Sequence, residues 1–290
     1  MKNKLNKISK DINIFLKKFI KKQKKTNLIS SMKYGLFPGG KKIRSKILLD
    51  IGSLFNVNYK TLITIGAAIE CIHAYSLIHD DLPCMDNDNL RRGKPSTHIK
   101  FGESTAVLAG NSLLTMSFEI LSDPKLMITD KIKVNLIKKL SESSGHSGIA
   151  GGQYLDLNFE NKKISQKKIK DMEIKKTGKL FSFCCMVPAI IKNKNVDTIK
   201  FFEKIGSEIG LLFQIVDDLI DYRGNTKRVG KKTKKDQKKG KANLISLLGY
   251  HNTVIYADKL RFKIQKELKS YGQKSNSLNK TLEYIVNRNK

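Results

Sequence analysis

Negative charge is what this chain has least of. Against 56 Lys+Arg stand 26 Asp+Glu, a formal net charge of +30 over 290 residues. Proline is also scarce at five residues, and few turn clusters interrupt the apolar segments. The four cysteines, Cys71, Cys84, Cys184 and Cys185, include no metal-type CxxC pair. Adjacent Cys184 and Cys185 lie in an apolar run and read as core, so the simplest setting is a reducing cytoplasm. Long hydrophobic runs are missing too. "LFSFCCMVPAII" (180–191) is too short to cross a bilayer and contains Pro188. The start, "MKNKLNKISKDINIFLKKFIKKQKK", lacks the apolar core of a secretory signal and the arginines of a transit peptide. It reads as an amphipathic surface helix, and the chain as soluble, cytoplasmic and without a membrane span.

Hydrophobic residues make up 40% of the chain, enough for a sizeable core rather than a disordered polycation. The lysine excess invites a nucleic-acid reading, because basic surfaces displace counterions from phosphate backbones. Yet the lysines are spread over the whole length, and the basic segments lack interleaved aromatics for base stacking. Nucleic acid is therefore not the expected partner. A small anionic substrate, steered by the same field, is.

Length alone allows two domains, but helical chains of this size often fold as one. Residues 46–55, 59–79, 104–121, 131–145 and 196–222 carry apolar side chains at mixed three- and four-residue spacing, the helical period. No stretch alternates long enough to require a sheet. Breaks fall at "FPGG" (37–40), 82–96, "SDP" (122–124), 143–152 and the lysine run 223–241. Without a repeat or a dividing linker, the expectation is a single all-α domain over residues 1–290.

The scarce acids are concentrated. "GLLFQIVDDLIDY" (210–222) carries Asp217, Asp218 and Asp221, with 217 and 221 one turn apart on the same face. Like charges at that spacing destabilise a helix, and carboxylates beside an apolar run cost more still if buried alone. A divalent cation compensates economically, and all-oxygen ligands favour Mg²⁺ over zinc. "SLIHDDLPCMDNDNLRRG" (76–93) repeats the arrangement. Asp80 and Asp81 end an apolar helix, Pro83 breaks it, and the break lets Asp86 fold back toward Asp80. An EF-hand does not fit, because the loop glycine and terminal glutamate are absent at the required offsets. Two such clusters, each at the unfavourable C-terminal end of an apolar helix, suggest aspartate-rich lips facing across a hydrophobic cavity. Basic residues near both suit a phosphate ligand: Lys41 and Arg44 in "GGKKIR", Arg91 and Arg92, and Lys231 and Lys241.

These residues resemble the trans-isoprenyl diphosphate synthase family. "DDLPCMD" (80–86) is similar to its first aspartate-rich motif in the longer bacterial form, and "DDLID" (217–221) to its second. "GGKKIR", "RRGKPS", "GGQYLD" (151–156), "KKTGKLF" (175–181) and "FQIVDD" (213–218) follow in the family's order. The resemblance covers roughly residues 30–250, and "ECIHAYSLIHDDLP" is most similar to bacterial members that make the C15 farnesyl chain. It implies an antiparallel helix bundle around a deep central cavity, usually a homodimer. It implies head-to-tail 1'-4 condensation of isopentenyl diphosphate with dimethylallyl and then geranyl diphosphate.

On the same resemblance, Asp80, Asp81, Asp86, Asp217, Asp218 and Asp221 would hold three Mg²⁺ ions on the allylic diphosphate. Arg91, Lys176, Lys231 and Lys241 would contact that diphosphate, with Thr177 and Gln214 beside the allylic cation. Lys41, Arg44, His73 and Arg92 would hold isopentenyl diphosphate. Tyr75 and Ser76, five and four residues before Asp80, would set product length by closing the cavity floor. The chain departs from the bacterial pattern in "KANLIS" after Lys241, in Asn111 and in the amides of "MDNDN"; Lys231 and Lys232 remain alternatives for one contact. The rival readings are a geranylgeranyl or other short-chain synthase, a non-catalytic partner subunit of a prenyltransferase, and a nucleic-acid-binding protein.

Overall fold

Helices occupy the segments whose apolar period announced them. The computed structural model describes residues 1–223 and 243–287. The elements are α1 (Lys2–Lys21), α2 (Asn27–Leu36), α3 (Ile43–Leu54), α4 (Tyr59–Asp80), α5 (Thr97–Phe101), α6 (Glu103–Ser122) and α7 (Asp130–Ser144). Then come α8 (Ile149–Asn158), α9 (Gln166–Glu173), a π-turn (Ile174–Gly178), α10 (Lys179–Ile191) and α11 (Val196–Arg223). After the undescribed stretch follow α12 (Leu244–Glu267), a 3₁₀ segment (Leu268–Ser275) and α13 (Asn276–Asn287). The sheet content among the described residues is one two-residue hairpin, β1 (Leu90–Arg91) and β2 (Lys94–Pro95).

Local chemistry starts several helices. The Thr26 hydroxyl accepts the Ile29 amide at 3.1 Å ahead of α2, and Asn58 accepts those of Lys60 and Thr61 ahead of α4. Asn243 does the same for Ser246 at 2.9 Å ahead of α12. Each cap satisfies an amide that the helix cannot pair itself.

Packing divides the chain into two compact units: Met1–Leu49 with Asn58–Ile137, and Asp50–Val57 with Lys138–Lys290. In the first, α4 packs against α1, α2 and α6. It is long and apolar enough to cross a membrane, but 83% of the qualifying window is buried inside the protein, the position of a core helix. Helix α1 buries Leu5, Ile8, Ile12, Leu16, Phe19 and Ile20, so the basic N-terminal segment is an amphipathic helix laid on this unit. In the second unit α11 is central and packs against α10, α12, α13 and the π-turn. Residues 180–190 of α10, with Cys184 and Cys185, are buried there. All four cysteines are free thiols.

Candidate active site

Asp80 is the last residue of α4, and the backbone beyond it turns back on itself. Pro83 has no amide to continue the helix. The Asp86 amide instead donates to the Asp80 carbonyl at 2.8 Å, and Asp88 donates to Asp81 at 3.1 Å. The first aspartate-rich motif is thus a closed loop whose third acid returns to its first. Asp81 is only 2% exposed. Arg91 reaches it from β1, with Nε donating to both carboxylate oxygens at 3.0 and 3.1 Å and Nη2 to Oδ1. Burial pushes the Asp81 carboxyl up, and the paired guanidinium opposes that shift. A bidentate guanidinium contact is made with the ionised carboxylate.

The hairpin explains why consecutive arginines serve different neighbours. Arg92 and Gly93 form its two-residue loop with φ of 53° and 76°, the left-handed pair that such a tight turn requires. Arg91 therefore faces Asp81, while the Arg92 guanidinium lies against Gly40. A side chain at Gly40 would collide with it. This close approach brings Arg92 to the "GGKKIR" loop. Lys41 is exposed there, and Arg44, on the first turn of α3, donates from Nη1 to Nε2 of His73 at 3.2 Å.

Arginine can only donate, so Nε2 of His73 is the acceptor and the ring is neutral with its proton on Nδ1. Burial, then the charges of Arg44, Arg92, Lys42 and Arg91, hold His73 well below its usual range. One turn earlier, buried Glu70 accepts the Ser45 hydroxyl at 2.6 Å and pairs with Lys42 Nζ at 3.7 Å. Sequence reasoning missed Glu70 and Ser45. The available signal was a lone carboxylate inside an otherwise apolar helix, three residues before His73. Tyr75 and Ser76 are both buried on α4. Tyr75 meets His79 edge-on with centroids 5.7 Å apart, and burial followed by Asp80 pushes its hydroxyl up to about 12. Ser76 donates to the His73 carbonyl at 3.0 Å.

The second unit carries the other acidic motif. Asp218 and Asp221 are buried on α11, and Asp217 is partly exposed. Gln214, one turn before Asp218, donates to its Oδ1 at 2.8 Å and accepts the Thr177 hydroxyl at 3.0 Å. Thr177 belongs to the π-turn, whose wide winding interrupts regular pairing at positions often used for function. Gly152 of "GGQYLD" makes that approach possible, because a Cβ there would overlap the Lys176 backbone. Lys176 Nζ consequently reaches Asp156 Oδ2 at 2.6 Å. Glu173 lies among these acids and is 2% exposed. Burial, then Asp218 and Asp156, push its carboxyl well above the usual range. Sequence reasoning assigned no role to Asp156 or Glu173.

Each unit thus joins acids to cations of the predicted kinds. Asp80, Asp81, Asp86, Arg91, Arg92, Arg44 and His73 gather in the first. Asp217, Asp218, Asp221, Thr177, Gln214 and Lys176 belong to the second. Lys231 and Lys241 lie outside the described residues. The donors are all carboxylate oxygens, the set that suits Mg²⁺. Among the described residues no three His, Cys, Asp or Glu side chains form a preformed metal cage.

Comparison with known proteins agrees with this chemistry. The polyprenyl synthetase family profile matches residues 25–285. The farnesyl diphosphate synthase of Escherichia coli (strain K12) is 38% identical over 270 residues, 91% of this chain and 90% of that protein. An FPP/GFPP synthase from Zymomonas mobilis, solved without ligand, superposes with a TM-score of 0.88 at 35% identity over 98% of both chains. A geranyltransferase from Helicobacter pylori, complexed with magnesium and isoprenyl diphosphate, gives 0.83 at 32% identity, covering 98% of this chain and 96% of that one. Similarity of that extent makes the chain a member of the polyprenyl synthetase family, and its helices an all-α isoprenoid synthase fold.

Proposed function

We propose that this chain is a Mg²⁺-dependent farnesyl diphosphate synthase. It joins isopentenyl diphosphate to dimethylallyl and then to geranyl diphosphate, in the cytoplasm, as a single polyprenyl synthase domain spanning both units. The observation that carries the reading is the separation of two anion-binding sets within the first unit. Arg91 pairs with Asp81 of the aspartate loop, while Arg92 lies against Gly40 of the "GGKKIR" loop and Arg44 donates to His73.

Asp80, Asp81 and Asp86, with Asp217, Asp218 and Asp221, would hold three magnesium ions. When bound, magnesium supplies charge neutralisation for the departing allylic diphosphate. Arg91 and Lys176, with Lys231 and Lys241, share that load and hold the leaving group in place. The allylic C–O bond breaks with its electron pair on the diphosphate oxygen. Lys41, Arg44 and Arg92 fix isopentenyl diphosphate, and neutral His73 fixes Arg44 through its Nε2 lone pair. The isopentenyl double bond then attacks the cation, and a proton leaves to a diphosphate oxygen. Thr177 and Gln214 would lie beside the allylic cation, with Thr177 fixing the Gln214 amide and Gln214 holding Asp218. An apolar cavity of the kind the resemblance implies would exclude water that would otherwise quench the cation.

A homodimer is part of this reading. Helix α6 contains no lysine or arginine in a chain of net charge +30, and it leaves Val107 and Leu108 exposed. A helix without positive charge that exposes two neighbouring apolar side chains, on so basic a protein, supports pairing with a second copy.

A longer-chain product is the second reading, favoured by the Zymomonas mobilis protein's name, which couples two products. The deciding test is incubation with Mg²⁺, labelled isopentenyl diphosphate and either dimethylallyl or geranyl diphosphate, followed by chromatography. A C15 product formed only with Mg²⁺ is expected. Mainly longer chains would favour the second reading, and no turnover by the purified protein would favour a non-catalytic subunit.

A further inference from the structure

The outer face of α1 is built from lysine around one isoleucine. Leu5, Ile8, Ile12, Leu16 and Phe19 form the buried stripe. Lys2, Lys4, Lys7, Lys10, Lys17, Lys18 and Lys21 are all exposed, and Lys22, Lys24 and Lys25 continue the series. Ile14 lies opposite the stripe and is 42% exposed. By helical spacing it is one turn from Lys10, Lys17 and Lys18 and two turns from Lys7 and Lys21. The only acid in the helix, Asp11, is occupied by the Tyr59 hydroxyl at 2.8 Å. Lys7 and Lys17 stand over the rings of Tyr59 and Phe37, contacts that leave their positive charge in place. Elsewhere Lys139, Lys204 and Lys263 are paired with glutamates. Among the described residues the α1 lysines form no such pair.

We propose that this face docks the protein on membranes rich in anionic lipid, with the lysines on the headgroups and Ile14 seated between them. Lysine-rich helical faces bearing an apolar residue suit the bilayer interface, where lysines close to anionic headgroups each add to the attraction. The apolar stripe stays buried against the first unit, so α1 lies on the surface and does not insert as a whole. A nucleic acid fits less well. The face has no arginine for bidentate phosphate binding, and an isolated aliphatic side chain offers no stacking surface for bases. The docking also suits the proposed function, since the product carries a hydrocarbon tail on an anionic head. It does not depend on that function, because vesicle binding and turnover are read separately.

The test is co-sedimentation of the full chain with vesicles of phosphatidylcholine alone or containing about a quarter phosphatidylglycerol, at low and high salt. Binding is expected on the anionic vesicles only and should weaken as salt rises. Reversal at Lys7→Glu, Lys10→Glu, Lys17→Glu and Lys21→Glu should reduce it more than tenfold. Ile14→Ser should reduce it severalfold with the charge unchanged. Reversal of four exposed lysines elsewhere, Lys192→Glu, Lys200→Glu, Lys259→Glu and Lys269→Glu, should have much less effect. If the quadruple α1 variant does not fold by circular dichroism, the four glutamine substitutions replace it. Equal losses from both reversals would mean non-specific attraction by net charge and overturn the proposal. So would absence of vesicle binding at low salt, or tighter binding to duplex DNA than to anionic vesicles.

Discussion

Arg44 donates a hydrogen bond to Nε2 of His73 at 3.2 Å, which fixes the imidazole as neutral. Burial and the surrounding cations depress its folded-state pKa well below 6.5. An unfolded chain therefore takes up a proton near pH 6.5 that the folded chain refuses. Stability should fall as pH drops below that value, by up to about 1.4 kcal/mol per pH unit. His73→Gln keeps an acceptor for Arg44 and removes the titration. Urea unfolding at pH 7, 6 and 5 should show a shallower acid loss in the variant; parallel curves would contradict the assignment.

Arg91 and Asp81 make the buried pair of the first motif; removing Arg91 strands Asp81, and removing Asp81 leaves Arg91 only the longer contact with Asp88 at 3.7 Å. Asp81→Asn and Arg91→Gln should each lower stability by roughly 3 kcal/mol. Combining them removes both charges, so the double variant should recover much of that loss. On the proposed function turnover should not recover, because a proposed magnesium ligand and a proposed phosphate contact would both be gone; a loss on the order of a hundredfold or more is expected. A double variant that regained activity along with stability would show the pair to be purely structural.

Glu173 is a buried carboxyl whose folded pKa lies well above 4.5, raised by burial, Asp218 and Asp156. Its contribution to stability is complete below the unfolded pKa of about 4.5 and is lost as pH rises toward the folded value. Glu173→Gln imitates the neutral acid and should be more stable than the parent at pH 7 in metal-free buffer. The gap should close below about pH 4.5. Thermal melts across that range test it, and a variant less stable than the parent at pH 7 would mean the carboxylate is held ionised.

The sequence disclosed the acids more completely than their supports. Asp80 and Asp86 were legible because Pro83 forbids a continuing helix, and the Asp86 amide does return to Asp80. The helices α4, α6 and α11 were legible because their apolar period is long and unbroken. Glu70 was hidden because its partners, Ser45 and Lys42, come from another helix and the loop before it, and no local pattern encodes that meeting. Glu173 was hidden for the opposite reason. It stands in "DMEIKK", a polar run that resembles a solvated surface, and only the π-turn and the packing of α11 bury it. The opposed aims of Arg91 and Arg92 depended on two left-handed residues at the hairpin, a backbone property that one glycine only hints at.

Product length is the property most exposed to a single substitution. Tyr75 precedes Asp80 by five residues, which at about 1.5 Å per residue puts it roughly 7 Å along α4 from the aspartate loop. Its ring is 8% exposed and braced edge-on by His79, so it has little freedom to swing aside for a growing chain. The hydroxyl, pushed up to about 12, stays protonated at every working pH. If Tyr75 closes the floor as proposed, the ring itself and not a charge would do the blocking. Tyr75→Ala should release products longer than C15, at a stability cost of about 3 kcal/mol for a deleted buried aromatic. Tyr75→Phe keeps the ring and should keep C15, which separates bulk from hydroxyl chemistry. Radiolabelled product chromatography reads both variants, and a purely C15 output from a folded Tyr75→Ala protein would remove Tyr75 from the control of chain length.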